Sequence, residues 1–288
     1  MHRYILHNGD VRDATEAVLR AGQVGLLSGW GVFSTIKVID GVLFAFERHW
    51  ARMQRDAALL RVPMPADPEP VHAALLKLVK SNQASNATLR LVVVRNGGGM
   101  WEGPPTGRPS DVIALTAPLK EWGSGVKLTV VPQARYAASV FAGTKVLSWS
   151  QNLTWLEEAQ SRGFDEVILL NERDEVAECT SANLFAARGS EVWTPPLSSG
   201  CLPGVTRDVL LHEVHCEGTP ILERTLTVSD LDSADDVFIT STTRELLPVL
   251  SIDGRTLRHS GQARETLQRA FSAYVNRYVE ERRSALVG

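Results

Sequence analysis

Three β-rich runs follow one another almost without pause between Phe164 and Pro196: FDEVILLN, EVAECTSANLFAA and EVWTPP. The turns between them, NERD and RGS, are too short to hold a crossover helix. Strands joined this tightly form an antiparallel meander, which excludes a doubly wound parallel sheet. Asp-Gly steps mark further hairpins at GVFSTIKVI-DG-VLFAF (31–46) and LPVLSIDGRTL (247–257).

Helical spacing appears between the strands. Trp50, Met53, Ala57 and Leu60 mark the inner face of a helix over about 47–60, and Arg52 lies off that stripe. Further helices are expected over 71–81, 150–161, from Thr206 to before Gly218, and over 261–283 with Leu267, Phe271, Tyr274 and Tyr278 inward. Residues 3–7, 87–95, 111–117, VKLTVVP (126–132), ILERTL (221–226) and DDVFITS (235–241) read as strands, and 10–22 as helical or irregular. The loop 96–110 is dense in Gly and Pro. A chain of 288 residues suits two domains at roughly 150 residues each, or one large one. The expectation is an α+β chain with a domain over 1–118, a linker over 119–125 and a domain over 126–288, each with a mixed or antiparallel sheet. A cleft between two such domains is a usual place for a small-molecule site.

A formal net charge of −3 gives no electrostatic reason to expect nucleic acid or an anionic membrane. No apolar stretch approaches the ~20 residues that span a bilayer. The first residues lack the basic region and apolar run of a secretory signal. Cys179, Cys201 and Cys216 form no C-x-x-C pair, so reduced thiols in a cytoplasmic protein are expected.

Lysine is scarce: of 30 basic residues only six are lysine, and none follows Lys145. Where arginine supplies charge by default, a lysine in the uncharged context FAGTKVLSW suggests a need for an amine. Arginine cannot deprotonate and cannot form an imine, whereas apolar surroundings push a lysine toward its neutral, nucleophilic form. The bland alternative is an ordinary lysine at a strand end.

Glu178 shares a face with Thr180 in EVAECTS. A carboxylate among small residues needs a partner, either an arginine or a protonated pyridine nitrogen. Gly204-Val205-Thr206 opens a helix and suits an anion, as do Ser241, Thr242 and Thr243 after a strand and before a helical turn. Plain helix caps read the same way. Arg52 either reaches a phosphate or pairs with Asp56 on the helix surface.

Six stretches in order resemble the fold-type IV pyridoxal-phosphate enzymes: GWGVFSTIKVIDG (29–41), FERHWARM (46–53), Lys145 with its helix, EVAECTSANLF (175–185), CLPGVTR (201–207) and FITSTTRELLPV (238–249). That family contains branched-chain and D-amino-acid aminotransferases and aminodeoxychorismate lyase. The resemblance implies pyridoxal 5′-phosphate held as a Schiff base by Lys145. It implies Glu178 at the pyridine nitrogen, Thr180 beside it, Leu202 against the ring, and Val205, Thr206, Ser241, Thr242 and Arg52 at the phosphate. It also implies two domains with the cofactor between them, in a homodimer.

Phe33, Arg90, Arg95 and Thr243, with the loop 96–103, are the substrate candidates. Trp30 and Ser34 stand where the family pattern carries Asp and Glu, which bears on the substrate side. Ser150 replaces a tyrosine common in branched-chain enzymes, and Met100-Trp101-Glu102 lacks the Arg-x-His of D-amino-acid enzymes. The expected activity is transamination between a small, branched-chain or similar, amino acid and a 2-keto acid. The alternatives are a lyase releasing pyruvate and 4-aminobenzoate from aminodeoxychorismate, and a non-catalytic binding protein on the same scaffold.

Overall fold

The computed structural model describes residues 1–287 apart from Ala17 and Trp101. The chain forms two compact units. The first takes Met1–Lys120, Thr144–Trp149 and the residues from Tyr278 on, and the second takes Glu121–Gly143 and Ser150–Arg277. Lys145, beyond the expected linker in sequence, is part of the first unit.

The first unit contains β1 (Tyr4–His7), β2 (Asp10–Asp13), α1 (Val24–Ser28), β3 (Gly31–Ile39), β4 (Val42–Leu43), α2 (Phe46–Leu59), α3 (Glu69–Ser81), β5 (Ala87–Arg95) and β6 (Ser110–Ala117). Its six strands form an antiparallel sheet in the order β2-β1-β6-β5-β3-β4. Asp40 and Gly41 both take positive φ, +48° and +82°, as a two-residue hairpin turn requires. Asn8 and Gly9 do the same at +52° and +92°. Residues 10–13 are therefore a strand rather than helical or irregular, and the Asn-Gly step is the signal for it. Ala45, left-handed at φ +53°, ends VLFAF early and opens α2.

Trp50, Met53 and Ala57 are buried on α2 as expected, and burial of a side chain the size of Met53 contributes about 1.5–3 kcal/mol. The same helix buries a second face. His49, Arg52 and Asp56 are all inside, so Arg52 is not on a solvated surface.

The second unit contains β7 (Val126–Arg135), α4 (Ser150–Ser161), β8 (Glu166–Asn171), β9 (Val176–Cys179), β10 (Asn183–Arg188), β11 (Glu191–Thr194), α5 (Val205–His212), β12 (Ile221–Glu223), α6 (Val228–Ser233), β13 (Asp236–Ser241), β14 (Glu245–Ile252), β15 (Arg255–Thr256) and most of α7 (Gln262–Val287). The sheet runs β12-β11-β10-β13-β14-β7-β8-β9, with β15 beside β14. It is mixed: β7 lies parallel to β8 and β14, and the other pairs are antiparallel except β11 with β12.

EVAECTSANLFAA forms two strands, not one. Cys179 N donates to Ala182 O at 2.8 Å, and the hydroxyls of Thr180 and Ser181 turn to the buried carboxylate of Glu166, which breaks the ladder there. Ser241–Thr243 begin a tight turn from β13 into β14, with no helical turn after them. Helix α6 is an unanticipated element, started by a reciprocal cap between Thr227 and Asp230. On α7, Val275 is buried while Tyr274 is only half-buried.

Candidate active site

In the first unit, the segment carrying Lys145 is zipped along β3. Phe33 N donates to Lys145 O at 3.2 Å, Leu147 N donates to Gly31 O at 3.0 Å, and Val32 bridges Val146. Lys145 N donates to Asp56 Oδ2 at 3.0 Å. Gly31 makes the approach possible, because a Cβ there would come within 2.5 Å of Leu147 Cδ1 and of Val93 O. The backbone of Lys145 is thus fixed by β3 on one side and α2 on the other.

Its amine lies over apolar rings. Nζ is 4.6 Å from the Phe33 centroid and 5.8 Å from that of Trp149, and the two rings meet edge to face at 6.1 Å. Arg90 Cζ stands 4.7 Å from the same Phe33 ring. Phe33, Arg90 and Lys145 therefore form one cluster, with Trp149 as a member that sequence reasoning missed. The spacing of Trp149, four residues after the lysine, was its only signal.

Arg52, Ser34 and His49 lie together. Arg52 Nη2 donates to Ser34 Oγ at 2.7 Å, and Oγ is 2.7 Å from His49 Nδ1. Burial, then the charges of Arg52 and Lys145, holds the His49 imidazole well below its usual pKa, so it is neutral. Arg95 donates from Nε to Gly97 O at 2.7 Å and from Nη1 to Arg61 O at 2.5 Å, and its guanidinium lies 4.1 Å from the Trp30 ring. These contacts fasten the loop after β5 to the end of α2. Trp101, within the 96–103 loop, lies outside the described residues.

The second unit carries its own set. Glu178 is buried on β9, accepting from Arg135 Nε at 3.1 Å and from Leu202 N at 3.0 Å. Arg135 also donates to Asn152 Oδ1 at 3.2 Å, and Asn152 donates to Thr180 O at 2.9 Å. The Thr180 hydroxyl itself bonds to Glu166. Asn183 Nδ2 donates to Leu202 O at 2.8 Å, fixing Leu202 at both its N–H and its carbonyl.

Gly204 then opens α5. The first helical bond runs from Asp208 N to Gly204 O, so the N–H groups of Val205, Thr206 and Arg207 lie ahead of the ladder. Ser241, Thr242 and Thr243 sit half-buried in the β13–β14 turn. Arg244 ties that turn down: Nη2 pairs with Glu166 Oε2 at 3.2 Å, and Nη1 donates to Ser181 O at 3.2 Å. Arg135, His49 and Asn183 had no assigned role in the sequence reading, and Asp56 entered it only as a surface partner for Arg52, whereas here it accepts from the Lys145 backbone.

These donor sets suit the parts of a phosphorylated pyridine aldehyde. The open N–H groups at α5 suit a phosphate. A carboxylate has about four lone-pair positions, so Glu178 can accept a pyridinium N–H besides its two partners. The Lys145 amine suits an aldehyde.

The amino-transferase class IV family profile matches residues 31–252. A Methanocaldococcus jannaschii protein provisionally named a branched-chain-amino-acid aminotransferase is 32% identical over 92% of this chain and 93% of its own. The D-alanine aminotransferase of Bacillus licheniformis is 30% identical over 88% and 89%. The structure of a T.th. branched-chain amino acid aminotransferase with pyridoxamine 5′-phosphate superposes with a TM-score of 0.86 at 25% identity, covering 96% of this chain and 95% of that one.

Proposed function

The chain belongs to the class IV aminotransferases, and on that footing we propose that it moves the amino group of a small apolar amino acid, a branched-chain one first, to a 2-keto acid. It is a pyridoxal-phosphate-dependent transferase of the fold-type IV, α+β kind. The observation that carries the donor reading is the apolar setting of the Lys145 amine, over Phe33 and Trp149. Apolar ring faces beside the reacting amine suit an aliphatic side chain better than a charged one.

Bound pyridoxal phosphate supplies an aldehyde that takes up the amino group and a protonated ring that draws electrons from the substrate Cα. In this reading Lys145 Nζ would hold that aldehyde and, once freed, would move the Cα proton. Glu178 keeps the ring nitrogen protonated, and its bond to Leu202 N aligns the residue that packs on the ring. Val205 and Thr206 offer N–H groups to the phosphate, with Arg52, Ser241 and Thr242 as further donors. Arg90 is the carboxylate partner.

A homodimer is the proposed assembly. Leu26 and Leu27 on the first unit, and Tyr136, Val140 and Phe141 on the second, are exposed side chains that a partner copy would cover. A cytoplasmic location is also part of the proposal and rests on the cysteine pattern. Among the described residues, no helix is long and apolar enough to cross a membrane.

The test is a donor and acceptor screen with half-reactions, together with borohydride reduction and peptide mapping. The expected result is a pyridoxyl group on Lys145 and an amine form of the cofactor that accumulates with branched-chain donors until a keto acid is added. Labelling of another lysine would overturn the assignment of Lys145. Turnover on aminodeoxychorismate alone, with release of pyruvate, would overturn the transaminase activity.

A further inference from the structure

Ser34 has no exposed surface, and its hydroxyl lies between two side chains of α2. Arg52 and His49 are three residues apart on that helix and share a face. Arg52 Nη2 reaches Ser34 Oγ at 2.7 Å, and His49 Nδ1 is 2.7 Å from the same oxygen. His49 is 1% exposed, and its Nε2 is buried with no hydrogen-bond partner among the described residues.

A second cation here would face both the Arg52 guanidinium on its own helix and Lys145 on the segment along β3, and burial opposes it as well. The imidazole is therefore neutral, with one lone pair and one N–H. A serine hydroxyl has one proton and two lone pairs. Since a lone pair takes the Arg52 donor, the Ser34 proton is free for Nδ1. Where that proton goes to Nδ1, the bonds run in one direction, from Arg52 to Ser34 to His49, and the imidazole proton is on Nε2.

We propose that Ser34 and His49 are positioning residues for Arg52: neutral His49 fixes the rotation of the Ser34 hydroxyl, and that hydroxyl fixes the guanidinium in the orientation that takes the cofactor phosphate. This rests on the reading of Arg52 as a phosphate arginine. It gives Ser34, which departs from the family pattern, a role in holding the cofactor rather than in choosing the substrate.

The experiment compares apoenzyme affinity for pyridoxal 5′-phosphate and for pyridoxal, which lacks the phosphate, by fluorescence titration. Ser34→Ala and His49→Leu are expected to weaken phosphate-bearing cofactor about tenfold, the worth of one charge-assisted hydrogen bond, and to leave pyridoxal within about twofold. His49→Asn keeps an acceptor near the Nδ1 position and is expected to retain wild-type affinity. Nitrogen-15 correlation spectra are expected to show the Nε2–H tautomer.

Equal weakening of both ligands, or no change in either, would overturn the proposal, as would an Nδ1–H tautomer. Arg52→Gln separates the two levels. If it weakens only the phosphate-bearing ligand while Ser34→Ala does not, the positioning role fails and the phosphate arginine stands. If Arg52→Gln weakens both alike, the reading of Arg52 itself fails.

Discussion

Replacing Gly204 with alanine tests whether the turn ahead of α5 is held by space rather than by backbone freedom. Gly204 has φ −67°, a value open to any residue, so strain is not the objection. Room is. An added Cβ would lie 2.0 Å from Asn183 Oδ1, where about 3.2 Å is the closest comfortable contact. Asn183 would have to retreat by more than about 1 Å. It is 5% exposed on β10 and has little space to do so. The retreat breaks its 2.8 Å bond to Leu202 O, worth about 1 kcal/mol, and overpacking adds about 1–3 kcal/mol.

Gly204→Ala should therefore destabilise the apoprotein by about 2–4 kcal/mol. At roughly 2–4 °C per kcal/mol, calorimetry should record a melting point lower by roughly 5–15 °C. Asn183→Ala removes the obstructing oxygen, so the double variant should be more stable than the sum of the two single losses implies. A Gly204→Ala protein melting within about 1 °C of wild type would refute the reasoning, and so would strict additivity in the double variant.

Glu178→Gln keeps an acceptor for Leu202 N but removes the charge facing Arg135, so a loss of about 1–3 kcal/mol is expected in urea denaturation. Turnover should also fall steeply in this variant while borohydride still labels Lys145; retention of wild-type turnover would contradict the ring-nitrogen role. His49 gives a pH limb. Its folded-state pKa lies below the ordinary 6.5, so its contribution is complete above that pH and shrinks as pH falls, by up to about 1.4 kcal/mol per pH unit. Comparing wild type with His49→Asn between about pH 7.5 and about pH 5.5 should show the flatter limb in the variant. Burial, then neighbouring acidic groups, pushes the Cys201 thiol up to about 12 and Cys179 well above its usual range. Thiol reagent in native buffer should therefore reach Cys216 first, and the other two only on denaturation.

The elements legible in the sequence were those whose cause is local. The Asp40-Gly41 turn has a two-residue signal and a two-residue cause, and the inner face of α2 follows from spacing alone. The Asn8-Gly9 turn carries an equal signal, but the strand after it, Asp10–Asp13, is nearly all polar and lacks the alternation that marks a strand. The break at Thr180–Ala182 was hidden for the opposite reason. Its cause is Glu166, a residue on a neighbouring strand whose carboxylate draws the Thr180 and Ser181 hydroxyls out of line.

The candidate site divides the same way. Lys145 and Glu178 stand out by chemical type, whereas the groups that hold them in place are Asp56 and Arg135, 89 and 43 residues away in the chain. No local pattern could connect Arg135 with Glu178 or Asp56 with Lys145.

The two departures in the first motif gain a common explanation from α2. Trp30 Nε1 donates to Leu60 O at 2.7 Å, at the residue that ends this helix. The Trp30 ring also carries Arg95, whose Nη1 donates to Arg61 O one residue further on. Ser34 meets the middle of the same helix through His49 and Arg52. Both side chains thus reach α2 or its end, the helix that carries Arg52 and, through Asp56, also holds the backbone of Lys145. The sequence reading connected them with substrate choice. In the folded chain their side chains contact that helix and its end, while Phe33, Arg90 and Trp149 meet beside Lys145. That trio combines one cation with two aromatic faces around a primary amine. A cation matches the carboxylate of an aliphatic amino acid and apolar rings match its side chain, and neither depends on the residues at which the first motif departs from its family.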